Sequence, residues 1–186
     1  GHYLQSLIFH GDGKIPLKDL RKISFLCPVP GYDRHFSMLE KLGIKMIPVP
    51  LTGNGPDLEL IKNLLETDET IKGILCVPKH SNPTGETYSQ EVIEELAKIK
   101  KEDFKIIFDN AYAVHDFSKS KKLPNIEQTF IKNNSHKSLV MLGSTSKISL
   151  AGSGLAFMSL SPENMSNFID YFSKFSLGSD KVNQAR

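Results

Sequence analysis

The stretch from Ile71 to Asp109, "IKGILCVPKHSNPTGETYSQEVIEELAKIKKEDFKIIFD", decides the fold. "IKGILCVP" is a short apolar run closed by a proline, as a strand buried on both faces requires. A Pro/Gly-rich turn follows. "SQEVIEELAKIKK" then reads as a helix capped by Ser89, with acidic residues near its start and lysines near its end, as the helix dipole favours. "FKIIFD" is apolar again and closes the unit as a second strand. Apolar strands separated by helices of ten or more residues imply a largely parallel sheet covered on both faces, hence a three-layer α/β architecture.

The pattern extends in both directions. Upstream, "ISFLCPVP" is a strand and "DRHFSMLEKLG" a helix whose Phe36, Leu39 and Leu42 recur at helical spacing. "IKMIPVP" is the next strand, and "GPDLELIKNLLE" a helix that Pro56 is placed to begin, with Leu58, Ile61, Leu64 and Leu65 on one face. Downstream, "SLVMLGS" and "GLAFMSLS" are strands, and Ser161, Pro162 and Glu163 open a last helix through Phe172. The chain begins at Gly1 in "HYLQSLIFHGDG", which reads as the end of a helix, and closes on "SLGSDKVNQAR", which reads as the interior of one. The expectation is one large domain over residues 1–186, cut from a longer protein at both ends.

Composition narrows the function classes. Among 186 residues, 39% are hydrophobic, enough for a sizeable core. The 23 basic and 21 acidic residues leave a net charge of +2, which points away from nucleic-acid and polybasic membrane partners. No window approaches the roughly 20 apolar residues of a membrane span, and no secretory signal opens the sequence, so a cytoplasmic location is expected. Cys27 and Cys76 lie in apolar runs and read as buried hydrophobes. His10, His35, His80, His115 and His136 are scattered without metal-ligand spacing. The run "KSKKL" from Lys119 to Leu123 reads as a solvated loop.

In parallel sheets, ligands collect at the carboxyl ends of the strands. The segments that follow the strands here are "PGYDRH", "PKHSNPTGE", "DNAYAVHD" and "GSTSK". Taken alone, "SNPTG" is a turn, and Asp109 at a strand end is equally a cap for a following helix. Taken together, they suit pyridoxal phosphate. A carboxylate, Asp109, keeps a pyridine nitrogen protonated. Tyr112 and Asn82 donate to the ring's 3′ oxygen, and Tyr32 offers an aromatic face. Ser144 and Ser146 suit the phosphate, and Lys147 supplies the amine for the aldehyde.

In order and spacing, "SNPTG", "DNAY" and "STSK" resemble the cofactor motifs of pyridoxal-phosphate enzymes of the aspartate aminotransferase fold. "FLCPVPGYDRHF", "VPKHSNPTGETYS" and "GSTSKISLAGSG" are similar to a bacterial aspartate aminotransferase subgroup, over nearly the whole chain. The resemblance implies a Schiff-base lysine at Lys147, Asp109 on the pyridine nitrogen, Asn82 and Tyr112 on the 3′ oxygen, Tyr32 over the ring, and Ser144 and Ser146 near the phosphate. It implies amino-group transfer between an amino acid, aspartate in this subgroup, and a 2-oxo acid such as 2-oxoglutarate, in a homodimer. It also implies that the small substrate-binding domain and an upstream phosphate loop lie outside this chain, so that the 186 residues alone would be inactive. Many relatives place an arginine seven or eight residues beyond the lysine, where this chain has "LAGSGLAF"; Ser153 is the candidate substitute, and the arginines are Arg21, Arg34 and Arg186 alone.

Other readings of the same letters are open to comparison. Ser144-x-x-Lys147 matches the serine nucleophile of penicillin-binding proteins, but no S-D-N or K-T-G accompanies it, and it follows a strand instead of opening a helix. Gly13-Lys14 lacks the upstream glycine of a P-loop. A ligand-sensing domain of a transcriptional regulator and a lyase or decarboxylase on the same cofactor are the alternatives to aminotransfer.

Overall fold

Side chains of successive strand residues point to opposite faces, and in this sheet both faces are apolar. A computed structural model describes residues 1–20, 22–116, 122–149 and 154–185. Its strands are β1 (Ser24–Val29), β2 (Lys45–Pro50), β3 (Ile71–Cys76), β4 (Lys105–Asp109), β5 (Leu139–Ser144) and β6 (Ala156–Leu160). They form one sheet in the order β2-β1-β3-β4-β5-β6. Neighbours from β2 to β5 pair in parallel, and β6 runs antiparallel to β5. The helices are α1 (His2–Phe9), α2 (Asp33–Lys41), α3 (Leu58–Thr67), α4 (Gln90–Ala97), α5 (Ile126–Lys132), α6 (Pro162–Phe172) and α7 (Lys181–Ala185).

Alternation divides the core in two. Leu26, Val49, Ile74, Cys76, Ile106 and Phe108 face α3, α4 and α5, where Ile61, Ile93, Leu96 and Phe130 are buried. Phe25, Cys27, Leu75, Ile107 and Val140 face the opposite way, against Leu4 and Leu7 of α1, Leu39 of α2 and Phe168 of α6. The two cysteines therefore lie on opposite faces, and burial pushes each thiol up to about 12. The expected three-layer α/β arrangement is present.

Four local expectations need correction or completion. Pro56 does not begin α3; it bridges to Leu51, and Asp57 caps the helix, its Oδ1 accepting from the Leu60 N–H at 3.0 Å. A carboxylate aimed at free N–H groups adds charge to the cap, which proline pre-organisation lacks. Helices α2 and α4 have 9 and 8 residues, shorter than the ten expected, and loops complete the crossovers. Helix α4 stops before its lysines: Lys101 reaches the C-terminal end of α3, donating to the carbonyls of Leu65 and Asp68. Helix α5, which the apolar pattern does not announce, is capped by Asn125. The caps at Ser89 and Ser161 are as expected. Residues 119–121 of the charged run lie outside the described residues.

Gly73 permits the close packing of β1 on β3. A Cβ built on it would lie 2.5 Å from the buried Phe25 ring and 2.9 Å from the Lys105 carbonyl oxygen. Neither neighbour can withdraw, since Phe25 is fully buried and the carbonyl belongs to β4. Gly73→Ala is expected to destabilise the protein by about 1–3 kcal/mol through overpacking, read as a lowered denaturation midpoint; an unchanged midpoint would show that the sheet has slack here.

Candidate active site

Because β1, β3, β4 and β5 are consecutive neighbours, the loops leaving their carboxyl ends meet along one edge. Tyr32, Asn82, Asp109, Tyr112, Ser144, Ser146 and Lys147 lie there. Tyr32 is the N-cap residue of α2, and His35 lies in the first turn of that helix. The two rings pack edge to face at 5.3 Å. His35 then reaches across to the end of β4, where its Nε2 donates to Asp109 Oδ2 at 2.9 Å.

Asp109 is the last residue of β4 and its side chain is 23% exposed. Burial alone would raise its pKa, but the His35 hydrogen bond and charge, with the Ala111 N–H on Oδ1 at 3.1 Å, hold the carboxyl below its ordinary value. By sequence alone His35 is one of several scattered histidines. Its spacing of three from Tyr32, one helical turn at the mouth of the site, is the signal that could have found it.

Tyr112 follows in a turn fixed by hydrogen bonds from the Asn110 N–H to the Leu142 carbonyl and from the Ala113 N–H to the Asn110 carbonyl. Lys147 Nζ stands 5.8 Å from the centre of the Tyr112 ring. His115 packs edge-on against the same ring at 5.6 Å, with its Nε2 3.3 Å from the Lys147 carbonyl oxygen. Lysine and tyrosine, 35 positions apart, are thus brought together by the parallel pairing of β4 and β5.

Asn82 is half-buried in the loop after β3. That loop is closed by bonds from the Ser81 N–H to the Glu86 carbonyl and from the Tyr88 N–H to the Pro78 carbonyl. Ser144 ends β5, its Oγ donating to Ser146 Oγ at 2.8 Å and accepting from the Ser146 N–H at 3.1 Å. Thr145 ties this turn to the entry of β6: its N–H donates to the Leu155 carbonyl, and its Oγ1 accepts from the Leu155 N–H. Residues 145–149 form a turn, not the opening of a helix, so the penicillin-binding-protein reading of Ser144-x-x-Lys147 lacks its structural context. The candidate Ser153 lies outside the described residues.

The aspartate amino-transferase family model matches residues 2–186, and the chain belongs to that family. A Mycolicibacterium smegmatis protein whose name assigns it provisionally to the aminotransferases is 42% identical over 185 residues, covering 96% of this chain and 43% of that protein. The aspartate aminotransferase of Corynebacterium glutamicum is 36% identical over 186 residues, covering 96% and 42%. The crystal structure of an aspartate transaminase from C. glutamicum superposes with a TM-score of 0.91 at 34% identity, covering 97% of this chain and 44% of that one. The chain therefore spans about two fifths of the length of the curated relatives it matches.

Among the described residues, no group of three His, Cys, Asp or Glu side chains could hold a metal ion, and no helix is long and apolar enough to cross a membrane.

The electrostatics of Asp109 give a direct test. Because its folded-state value lies below that of an unfolded aspartate, near 3.9, its stabilisation is fully present above that value and is lost as pH falls through the folded value. In His35→Ala the Asp109 carboxyl is expected to titrate at higher pH than in the parent, followed by carboxyl ¹³C NMR. A titration that stays where it was would remove His35 as the cause.

Proposed function

We propose that the protein is a pyridoxal-phosphate-dependent aminotransferase that moves an amino group between an amino acid, aspartate foremost, and a 2-oxo acid, 2-oxoglutarate foremost. The observation that carries this reading is the convergence of Asn82, Asp109, Tyr112 and Lys147, from three strands, on one edge of the sheet. The aspartate assignment draws on the aspartate aminotransferase to which the chain is 36% identical.

The residues present fit the cofactor. Asp109 is kept ionised in a half-buried setting, as a partner for a protonated pyridine nitrogen must be. Ser144 and Ser146 converge their hydroxyls, and Gly154 presses against Ser146 so closely that a Cβ there would lie 2.4 Å from its Oγ. Buried Asn110 Oδ1 and His115 Nδ1 have no hydrogen-bond partner, which marks this edge as polar ground built for more than the chain itself supplies.

When bound, pyridoxal phosphate supplies an aldehyde for the lysine amine and a ring that accepts the electrons left when the substrate α-proton departs. Asp109 would hold the proton at the ring nitrogen. Tyr112 Oη and the Asn82 amide would donate to the 3′ oxygen, Tyr32 would cover a ring face, and Ser144 and Ser146 would hold the phosphate. Lys147 Nζ would provide the amine and would serve as the base that takes up the substrate α-proton and returns it. On this reading residues 1–186 are the large cofactor-binding domain of a cytoplasmic homodimer, and the small domain that completes the substrate site lies elsewhere in the protein.

The intact protein mixed with pyridoxal phosphate is expected to show visible absorbance and to transfer the amino group of aspartate to 2-oxoglutarate. Lys147→Ala should abolish that absorbance and lower transfer at least ~100-fold. Retention of both in the variant would refute the assignment.

A further inference from the structure

Lysine is among the residues least often buried, and it is buried chiefly when its ammonium is paired. Lys79, three residues beyond the end of β3 and three before Asn82, is 6% exposed. Its Nζ leaves its own loop and donates to the Ala113 carbonyl at 2.9 Å and to Asp116 Oδ2 at 2.7 Å, both in the loop after β4. The adjacent His80 converges on the same carboxylate, its Nε2 2.8 Å from Asp116 Oδ1. His80 does so from a left-handed backbone at φ 50, a conformation uncommon for a residue with a side chain. Two consecutive side chains of one loop therefore grip one carboxylate of the other, and Ala113, the second anchor, immediately follows Tyr112.

We infer that Lys79, through Asp116 and the Ala113 carbonyl, is a positioning residue that fixes the distance between Asn82 and Tyr112. This rests on the function proposed above. Those two side chains come from different strands, and both must reach one oxygen atom for the cofactor to be held as proposed. Among the described residues, no backbone ladder joins their loops beyond the last strand pair, Cys76 with Phe108. The buried ammonium supplies the missing tie, with charge-assisted hydrogen bonds that are shorter and stronger than neutral ones. The consequence is chemical. Donors on the 3′ oxygen stabilise its negative charge and so weaken its hold on the neighbouring proton of the lysine–aldehyde bond. If the clamp is released, one donor drifts away, and that proton is held to higher pH.

The test is a pH titration of the visible absorbance of the intact protein loaded with pyridoxal phosphate. Asn82→Ala, which deletes one donor directly, calibrates the size and direction of the shift. Lys79→Met and Asp116→Ala are expected to move the midpoint upward by about one pH unit, while Lys79→Arg, which keeps a charged donor, restores most of it. Asp116, whose side chain is 37% exposed, can be truncated with little loss of packing, so Asp116→Ala decides the matter alone should Lys79→Met fail to fold. A midpoint that is unmoved in Asp116→Ala while Asn82→Ala moves it overturns the inference. Absence of visible absorbance in the parent protein would instead overturn the proposed function, and the two failures are told apart by that control.

Discussion

A carboxylate at the end of an apolar strand is costly to keep charged, and much of this site follows from how that cost is met. Burial pushes the Asp109 carboxyl toward its neutral form, and the His35 hydrogen bond and the Ala111 N–H reverse the outcome. His35 lies in the helix that follows β1 and Asp109 ends β4; the two strands do not touch, and β3 lies between them. The contact therefore requires α2 to cross the end of the sheet on the face where its Leu39 is buried with Phe25 and Ile107. Disturbing that packing would act on the charge of Asp109 without touching the site.

Register carries the same logic to the next strand. Asp109 pairs with Leu142, so β5 continues two residues farther, to Ser144, before the chain turns. Ser144 consequently stands two residues beyond the level of Asp109 along the strand direction. The Asn110 N–H extends the ladder by one bond to Leu142, fixing the turn that holds Tyr112 against the lysine loop.

Such a site divides by the kind of information each part needs. The six strands are legible because each is a short apolar run with turn residues at its end, and the polar residues that follow mark the edge where ligands gather. Asp109, Tyr112 and Lys147 stand out in the sequence as a candidate pattern, since each ends or follows an apolar strand. Helix α5 is not, because "IEQTFIK" is barely two turns and only Ile126 and Phe130 are buried. The start of α3 was misplaced by one signal, Pro56, outweighed by another, Asp57. His35 and Lys79 were hidden for a deeper reason. Their partners lie 74 and 37 positions away, and nothing local to "YDRH" or "PKHS" names a carboxylate on another strand.

The turn that holds Ser144 and Ser146 leaves no room for a side chain at Gly154. Gly154 lies seven residues beyond Lys147, one of the two places where the family resemblance leads to the expectation of an arginine. Here the space is taken: a Cβ at Gly154 would collide with Ser146 Oγ at 2.4 Å, with its Cα at 2.7 Å and with its backbone nitrogen at 2.9 Å. The next position, Leu155, has its backbone N–H and carbonyl both engaged by Thr145. The close approach that removes the side chain from position 154 also draws the segment entering β6 against the turn that holds Ser144 and Ser146. An anion at this turn would meet hydroxyl and amide dipoles, and a guanidinium could not be introduced at 154 without first displacing the serine it presses upon.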